Sequence, residues 1–487
     1  MTAWREPDAI DQGDFEPEDV FEAGLRNHHV SSTAYPVAHE STWRPYRVPR
    51  EAMEEATVSA FRSLRELGLY AHIPFCETQC SFCECSVTRR SEHSGVALYM
   101  DALLRELSLY QEAIDLPSKT IAGFDIGGGT PSFVPAEEIE RLVTAVRETM
   151  TFREDADISI ETTPRIAALE PSKLRAYRAS GIDRVSMGIQ VIEPALLKVL
   201  NREANGIETH RAAVDNIRDA GFRRLNLDLM YGFKDQSLDG WRPTVRHAID
   251  LDPEYITLYR MRYKLTRISH QAPAVTLERV RPMERLAKAM LLDAGYFATS
   301  GKTTFSRIPG DVGTSSYLAR RVREGLPYLG LGLGAQSFTD TTIAYNDGAA
   351  SKSLPPYMRS VETGGLPIQD LYDLPAVQMM GKMCSVSFYF GEIHRPSFEE
   401  KFGMTLEEAC PRAVEFVLRE GLMELVDDSD ALRLTALGCD FKNGVHALFY
   451  APSIQRYLLS RDPERAEDFE RHRRSARRLA EEEPVPA

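Results

Sequence analysis

Short apolar or β-branched runs recur from residue 69 onward, at 69–73, 123–126, 158–161, 184–187, 225–230 and 255–259. Between them the apolar spacing lengthens to that of a helix. Within 96–114, Val96, Met100, Leu103, Leu104, Leu107, Tyr110 and Ile114 fall on one face; similar stripes occupy 136–150, 173–179, 193–200, 209–221 and 238–251. Gly181 and Gly221 stand where two of these helices should stop. Six strand–helix repeats in series predict parallel strands joined by right-handed crossovers, an α/β fold with a partial (β/α)6 barrel. Such a barrel carries its active site at the carboxyl ends of the strands.

The flanks read differently. Residues 1–65 mix prolines, acids and polar residues with little periodicity, an extended lead-in lying over a domain. After the last barrel strand come a break at 266–280, a helix at 282–294 and a Gly-rich stretch, YLGLGLGAQSF (328–338). Beyond about 370 the pattern is helical with a short β wing, 407–425 followed by the alternating LVDDSDALRLT, a winged-helix-like module. The predicted division is a lead-in over 1–65, a barrel core over 66–345, a small, mostly helical substrate-capping domain over 346–460 and a charged, disordered tail over 461–487.

Composition narrows the function classes. With 487 residues, 43% hydrophobic and 27% charged, the chain has the make-up of ordinary globular domains. Its net charge of −14 disfavours a phosphate backbone as partner. The arginines at 471–478 are flanked by acids and read as a solvated helix or tail. No apolar run approaches membrane-spanning length, and the acidic opening lacks a secretory core, so a cytoplasmic, membrane-free monomer is expected.

Of seven cysteines, four fall within HIPFCETQCSFCECS (72–86), just after a predicted strand. Thiolates from Cys76, Cys80 and Cys83 can wrap three corners of one [4Fe–4S] cubane. The fourth iron then stays open for the amino and carboxylate groups of S-adenosylmethionine (SAM). Its reductive cleavage gives a 5′-deoxyadenosyl radical that abstracts hydrogen. The competing reading, a zinc knuckle, calls for a second ligand pair, and the sequence offers no other CxxC or HxxxH. Cys384, Cys410 and Cys439 read as buried core thiols. DIGGGTPSFV (125–134) follows the next strand; its glycines suit either a tight turn or a cradle for a carboxylate. Glu161, Gln190 and Asp228 end successive strands, each either a satisfied structural group or a ligand contact.

These motifs give the chain its resemblance to oxygen-independent coproporphyrinogen III oxidase (dehydrogenase) and its radical SAM relatives. STAYPVAHE (32–40), YAHIPFCETQCSFCEC, GGGTPSF, SIETTP, RVSMGIQ, NRE, LDLMYG, the LGLG turn and LTALG (434–438) carry it. The resemblance implies two SAM molecules per chain. It implies cluster ligation by Cys76, Cys80 and Cys83, with Phe82 beside the cluster. It gives Tyr70, Gly128 and Glu161 to the first SAM, Gly129, Thr130, Gln190, Arg202, Asp228 and Met230 to the two cofactor pockets, and Cys85 a catalytic place near the second SAM. A flavodoxin- or ferredoxin-type electron donor and a small-molecule substrate complete the picture.

Departures bear on the substrate. KTTFSRIPG (302–310) replaces an Asp-His-Phe-Ala-Arg-Pro segment, a Tyr-Thr-Thr-Gln stretch before the Gly-rich turn is missing, and Arg262 and Gln336 replace small or apolar residues near the cofactors. They favour a class C methyltransferase or cyclopropanase that moves a methyl or methylene group onto an sp2 carbon of an aromatic natural product. The alternatives are oxidative decarboxylation of coproporphyrinogen III and, last, a haem-binding chaperone.

Overall fold

The computed structural model describes residues 11, 13–29, 35–88, 95–462 and 464, and the predicted tail lies, but for 461, 462 and 464, outside them. The chain forms two compact units, one of residues 47–374 and one combining 1–46 with 375–487.

In the larger unit all six expected strands form: β1 (Glu66–Ile73), β2 (Thr120–Gly128), then, after a two-residue β3 (Thr151–Phe152) beside β2, β4 (Ile158–Thr162), β5 (Arg184–Gln190), β6 (Leu225–Tyr231) and β7 (Tyr255–Arg260). They pair in parallel in the order β1-β2-β4-β5-β6-β7. Parallel strands covered on both faces carry near-continuous apolar runs, and Leu67, Leu69, Ala71 and Ile73 of β1 are fully buried. The intervening helices include Val96–Ile114, Ala136–Thr149, Ile207–Asp219 and Leu238–Asp250, close to the expected stripes.

The edges were not foreseen. A short β8 (Thr304–Ser306) runs antiparallel to β7. At the other edge β9 (Tyr328–Leu331) joins β1 in parallel, and β10 (Gln336–Phe338), β11 (Thr342–Asn346) and β12 (Ile368–Asp373) extend the sheet antiparallel. Because β12 pairs along β11, the barrel unit reaches residue 374 rather than the expected 345. The helix predicted at 282–294 starts earlier, at Leu277, with Pro282 in its opening turns.

The lead-in also departs from expectation. Helix Met53–Arg62 belongs to the barrel unit, whereas helix Pro17–Arg26 buries Val20, Ala23 and Gly24 in the smaller one. There, Gly24 lies so close to Asn443 and Gly444 that a Cβ would meet the Asn443 carbonyl oxygen at 2.7 Å. The smaller unit otherwise holds helices Ala376–Ser387 and Pro411–Arg419 and a three-stranded wing, β13 (Glu392–His394), β14 (Met423–Val426) and β15 (Ala431–Leu434), ordered β13-β15-β14. No helix among the described residues is long and apolar enough to cross a membrane.

Candidate active site

Strand register brings the motifs together. Ile73, after which the cysteine loop leaves β1, pairs with Gly128. Gly188 of β5 pairs with Asp228 of β6, and a bulge then sets Gln190 against Leu229. These strand ends surround a cavity of about 700 Å³, the size of a site for sizeable organic ligands.

The Gly-Gly-Gly turn is fastened directly to the cysteine loop. The Gly129 amide donates to the Ile73 carbonyl (2.8 Å), the Thr130 amide to the Phe75 carbonyl (2.7 Å), and the Thr130 hydroxyl to Cys76 Sγ (3.5 Å). Gly128 sits at φ +119°, where only glycine is at ease, and a Cβ there would strike the His72 ring. The NRE motif grips the same loop from the other side. Asn201 Nδ2 donates to the Gln79 carbonyl (2.9 Å), the Ser81 amide to the Leu200 carbonyl (3.2 Å), and Arg202 Nη1 to Cys80 Sγ (3.4 Å). Lys352 Nζ donates to the carbonyls of Glu84 (3.0 Å) and Cys85 (2.9 Å).

Burial pushes the Cys76 thiol up to about 12, partly offset by the Thr130 hydroxyl. Cys83 and Cys85 share a hydrogen bond that draws Cys83 down and holds Cys85 well above the ordinary thiol range. A cationic centre among these sulfurs would ionise them.

Of the carboxyls that line the cavity, two lie on barrel strands, Glu161 on β4 and Asp228 on β6. Glu161 accepts from the Gly128 amide (3.2 Å); desolvation, then the neighbouring Asp228 charge, raise it to about 8. Asp228 is raised to about 6 by burial, against hydrogen bonds from Asn226 Nδ2 (2.7 Å) and the Ser186 hydroxyl (3.3 Å). A carboxyl raised on folding binds protons in the native state that the unfolded chain has released, so stability falls as pH rises through that window. Relative to the wild type, Glu161→Gln should therefore gain in melting temperature as pH rises from 5 to 8 in the cofactor-free protein; a difference between the two profiles that stays constant would contradict this protonation state.

Gln190 is held at φ +63°, a left-handed conformation that costs a side-chain-bearing residue about 1 kcal/mol. Strain at the mouth of a cavity points to use. Gln190→Gly should raise unfolding stability by up to about 1 kcal/mol while weakening ligand binding, measured by denaturant titration and calorimetry side by side.

The cavity brings together Cys76, Cys80, Phe82, Cys83, Cys85, Gly128, Gly129, Thr130, Glu161, Gln190, Arg202, Asp228, Met230 and Arg262. Tyr70 and Gln336 are not among its lining. Tyr70 turns its hydroxyl to His72 Nδ1 (3.1 Å). Gln336 lies within the antiparallel extension, accepting from the Tyr328 hydroxyl and donating to that of Tyr345 (2.8 Å). Sequence reasoning missed Arg165, Asn201, Asn205 and Arg260, which also line the cavity; only Asn201 lay within a quoted motif. The residues present fit a polar, sulfur-ligated group. Three thiols of one loop line the same cavity, and the buried Gln190 Oε1, Arg202 Nε and Asn205 Oδ1 have no hydrogen-bond partner among the described residues. Leaving such atoms unpaired costs about 1–3 kcal/mol each, which a polar ligand would recover.

The Radical SAM superfamily profile matches residues 70–248. An oxygen-independent coproporphyrinogen III oxidase of Cereibacter sphaeroides is 29% identical over 396 residues, covering 76% of this chain and 83% of that protein. Its counterpart from Paracoccus denitrificans is 30% identical over 66% of this chain and 68% of its own. The solved coproporphyrinogen III oxidase of Escherichia coli, a radical SAM enzyme, superposes with a TM-score of 0.69 at 25% identity, over 85% of this chain and 96% of that one.

These relatives overturn the expectation of a class C methyltransferase or cyclopropanase. The structure explains why residues 302–310 misled: Thr304 and Ser306 are buried in the edge strand β8, and none of the nine residues lines the cavity. These residues form a closing strand and its flanks, apart from the cavity lining. Membership of the superfamily makes a [4Fe–4S] cluster and SAM the cofactors. Similarity over most of both chains, together with the shared fold, places this protein in the oxygen-independent coproporphyrinogen III oxidase family of radical SAM enzymes.

Proposed function

We propose that the protein catalyses oxidative decarboxylation of coproporphyrinogen III to protoporphyrinogen IX. The observation that carries this reading is the similarity to named oxidases across 76% of this chain and 83% of the Cereibacter protein. Each of two propionates loses one hydrogen atom, carbon dioxide and one electron, leaving a vinyl group; an external acceptor takes the electron. When bound, the cluster and SAM supply the reductively generated radical that removes the hydrogen atom.

The chain's own residues bind and orient. Cys76, Cys80 and Cys83 would hold the cluster, with Arg202 and Thr130 hydrogen-bonded to two of the sulfurs. The Gly128 amide and Glu161 would take the amino-acid end of the first SAM; Gln190, Arg202, Asp228 and Met230 would border the second, near Cys85. Substrate carboxylates need cations, and Arg165, Arg260 and Arg262 line the cavity. Arg165 pairs with Glu77, and Arg262 with Glu84 at 3.2 Å, partners that a propionate could replace bidentately. The same reading places the protein in the cytoplasm as a monomer, reduced by a flavodoxin- or ferredoxin-type donor. Anaerobic incubation with SAM, reductant and coproporphyrinogen III should yield protoporphyrinogen IX and two carbon dioxide molecules per substrate. Cleavage of SAM with no carbon dioxide from this substrate would overturn the proposal.

A further inference from the structure

Electrons must reach the cluster from outside, and one surface patch abuts the cysteine loop. Phe82, between the ligand candidates Cys80 and Cys83, packs edge-on against Phe233, with ring centroids 6.1 Å apart. Phe233 is buried at 2% exposure, and its neighbour Lys234 is exposed. Arg279 donates to the Lys234 carbonyl (2.7 Å) and sits close enough to Tyr263 to act on it electrostatically, so these segments share one face. From Tyr263 the chain runs through Lys264 and Leu265 to Arg267, whose amide donates to the Ser81 carbonyl (3.1 Å), next to Cys80.

The chemistry of this patch is uncommon in the molecule. Leu265 is 75% exposed, the highest exposure among the large apolar residues described, and stands at φ +61°. Lys264 and Arg267 flank it in the chain, and Arg279, bonded to Lys234, stands near Tyr263 two residues before it, with Asp235 and Glu278 as the neighbouring acids in sequence. Over 260–288, eight residues are Lys or Arg against two Glu, in a chain whose net charge is −14. An apolar tip flanked by cations, with further cations on the adjoining segments, suits a small, transient contact with an acidic partner, the kind made by electron carriers.

We propose that Lys234, Lys264, Leu265, Arg267 and Arg279 form the docking surface for an acidic one-electron carrier protein, with electron entry through Phe233–Phe82 and the Arg267–Ser81 contact. The inference rests on the cluster being held by Cys76, Cys80 and Cys83, but not on the identity of the substrate. One electron passes from the reduced carrier to the cluster, and no bond is made or broken at the patch.

The test uses the reconstituted holoprotein with a reduced, acidic flavodoxin as probe, following cluster bleaching by stopped-flow. Electrostatic steering changes association rates by about 10- to 1,000-fold. Lys234→Glu with Lys264→Glu should therefore slow reduction by flavodoxin about tenfold or more at low salt, and the difference from the wild type should shrink at high salt. Leu265→Asp should act in the same direction. Reduction by dithionite, and SAM cleavage driven by it, should be unchanged, which shows that the variants fold and load. A flavodoxin rate insensitive to both charge reversal and salt would overturn the proposal. Normal salt-dependent reduction with no protoporphyrinogen formed would sink the proposed substrate and leave the docking surface standing.

Discussion

Cys80→Ser, purified and reconstituted without oxygen, should fold, fail to assemble a four-iron cluster and lose product formation by about a thousandfold or more, since a hydroxyl does not replace a thiolate on iron of this kind. The loop should survive the change because protein contacts hold it independently of any metal. The Ser81 amide reaches the Leu200 carbonyl, Asn201 reaches the Gln79 carbonyl, and Arg267 reaches the Ser81 carbonyl. Iron and sulfide analysis with circular dichroism separates the two effects: native ellipticity with iron lost is the expected pair. Full iron content in the variant would remove Cys80 from the ligand set.

Gly129→Ala should also be damaging, though it removes no proposed cluster ligand. A Cβ at this position would lie 2.7 Å from the Phe75 carbonyl oxygen and 3.0 Å from both Cys76 Sγ and the Ile73 carbonyl oxygen. Two of these are backbone atoms where the cysteine loop leaves β1, so a rotamer change cannot relieve the clash. The turn must back away, giving up the short bonds from Gly129 to Ile73 and from Thr130 to Phe75. Overpacking of this sort costs about 1–3 kcal/mol. The larger effect should be on SAM affinity, because the turn that carries the Gly128 amide would move with it. Equilibrium dialysis with SAM, alongside a melting curve, should show a modest loss of stability and a loss of binding of tenfold or more; unaltered binding would mean that the turn is packing alone.

Much of the barrel could be read from the chain because its buried parallel strands leave apolar residues at strand spacing, such as Leu225, Leu227 and Leu229. The edge strands left no such mark. Thr304–Ser306 is three residues long and polar, yet Thr304 is fully buried and within 3.5 Å of the Thr257 hydroxyl. The partner of the Thr304 hydroxyl lies far away in sequence. Helix Pro17–Arg26 escaped for a related reason: its acids mask a narrow stripe of Val20, Ala23 and Gly24 that packs on residues more than 400 positions later.

The site shows the same division. The cysteines, the Gly-Gly-Gly turn and the strand-end polar residues announce themselves by spacing. Arg165 and Arg260 do not, because cations on a helix and at a strand end look like any solvated charge until the cavity is seen. Gln336 illustrates the opposite error. It stands where the resembled enzymes carry a small or apolar residue near the cofactors, which suggested a contact there, whereas Tyr328 and Tyr345 already use both ends of its amide.

One spectrum bears most directly on the whole account. Wild-type protein reconstituted with iron and sulfide and then reduced should give the paramagnetic signal of a [4Fe–4S]+ cluster, and adding SAM should change its line shape, because on this account the iron lacking a protein thiolate would be the one to bind the cofactor. A sample that stays silent after reduction, or a signal indifferent to SAM, would contradict it.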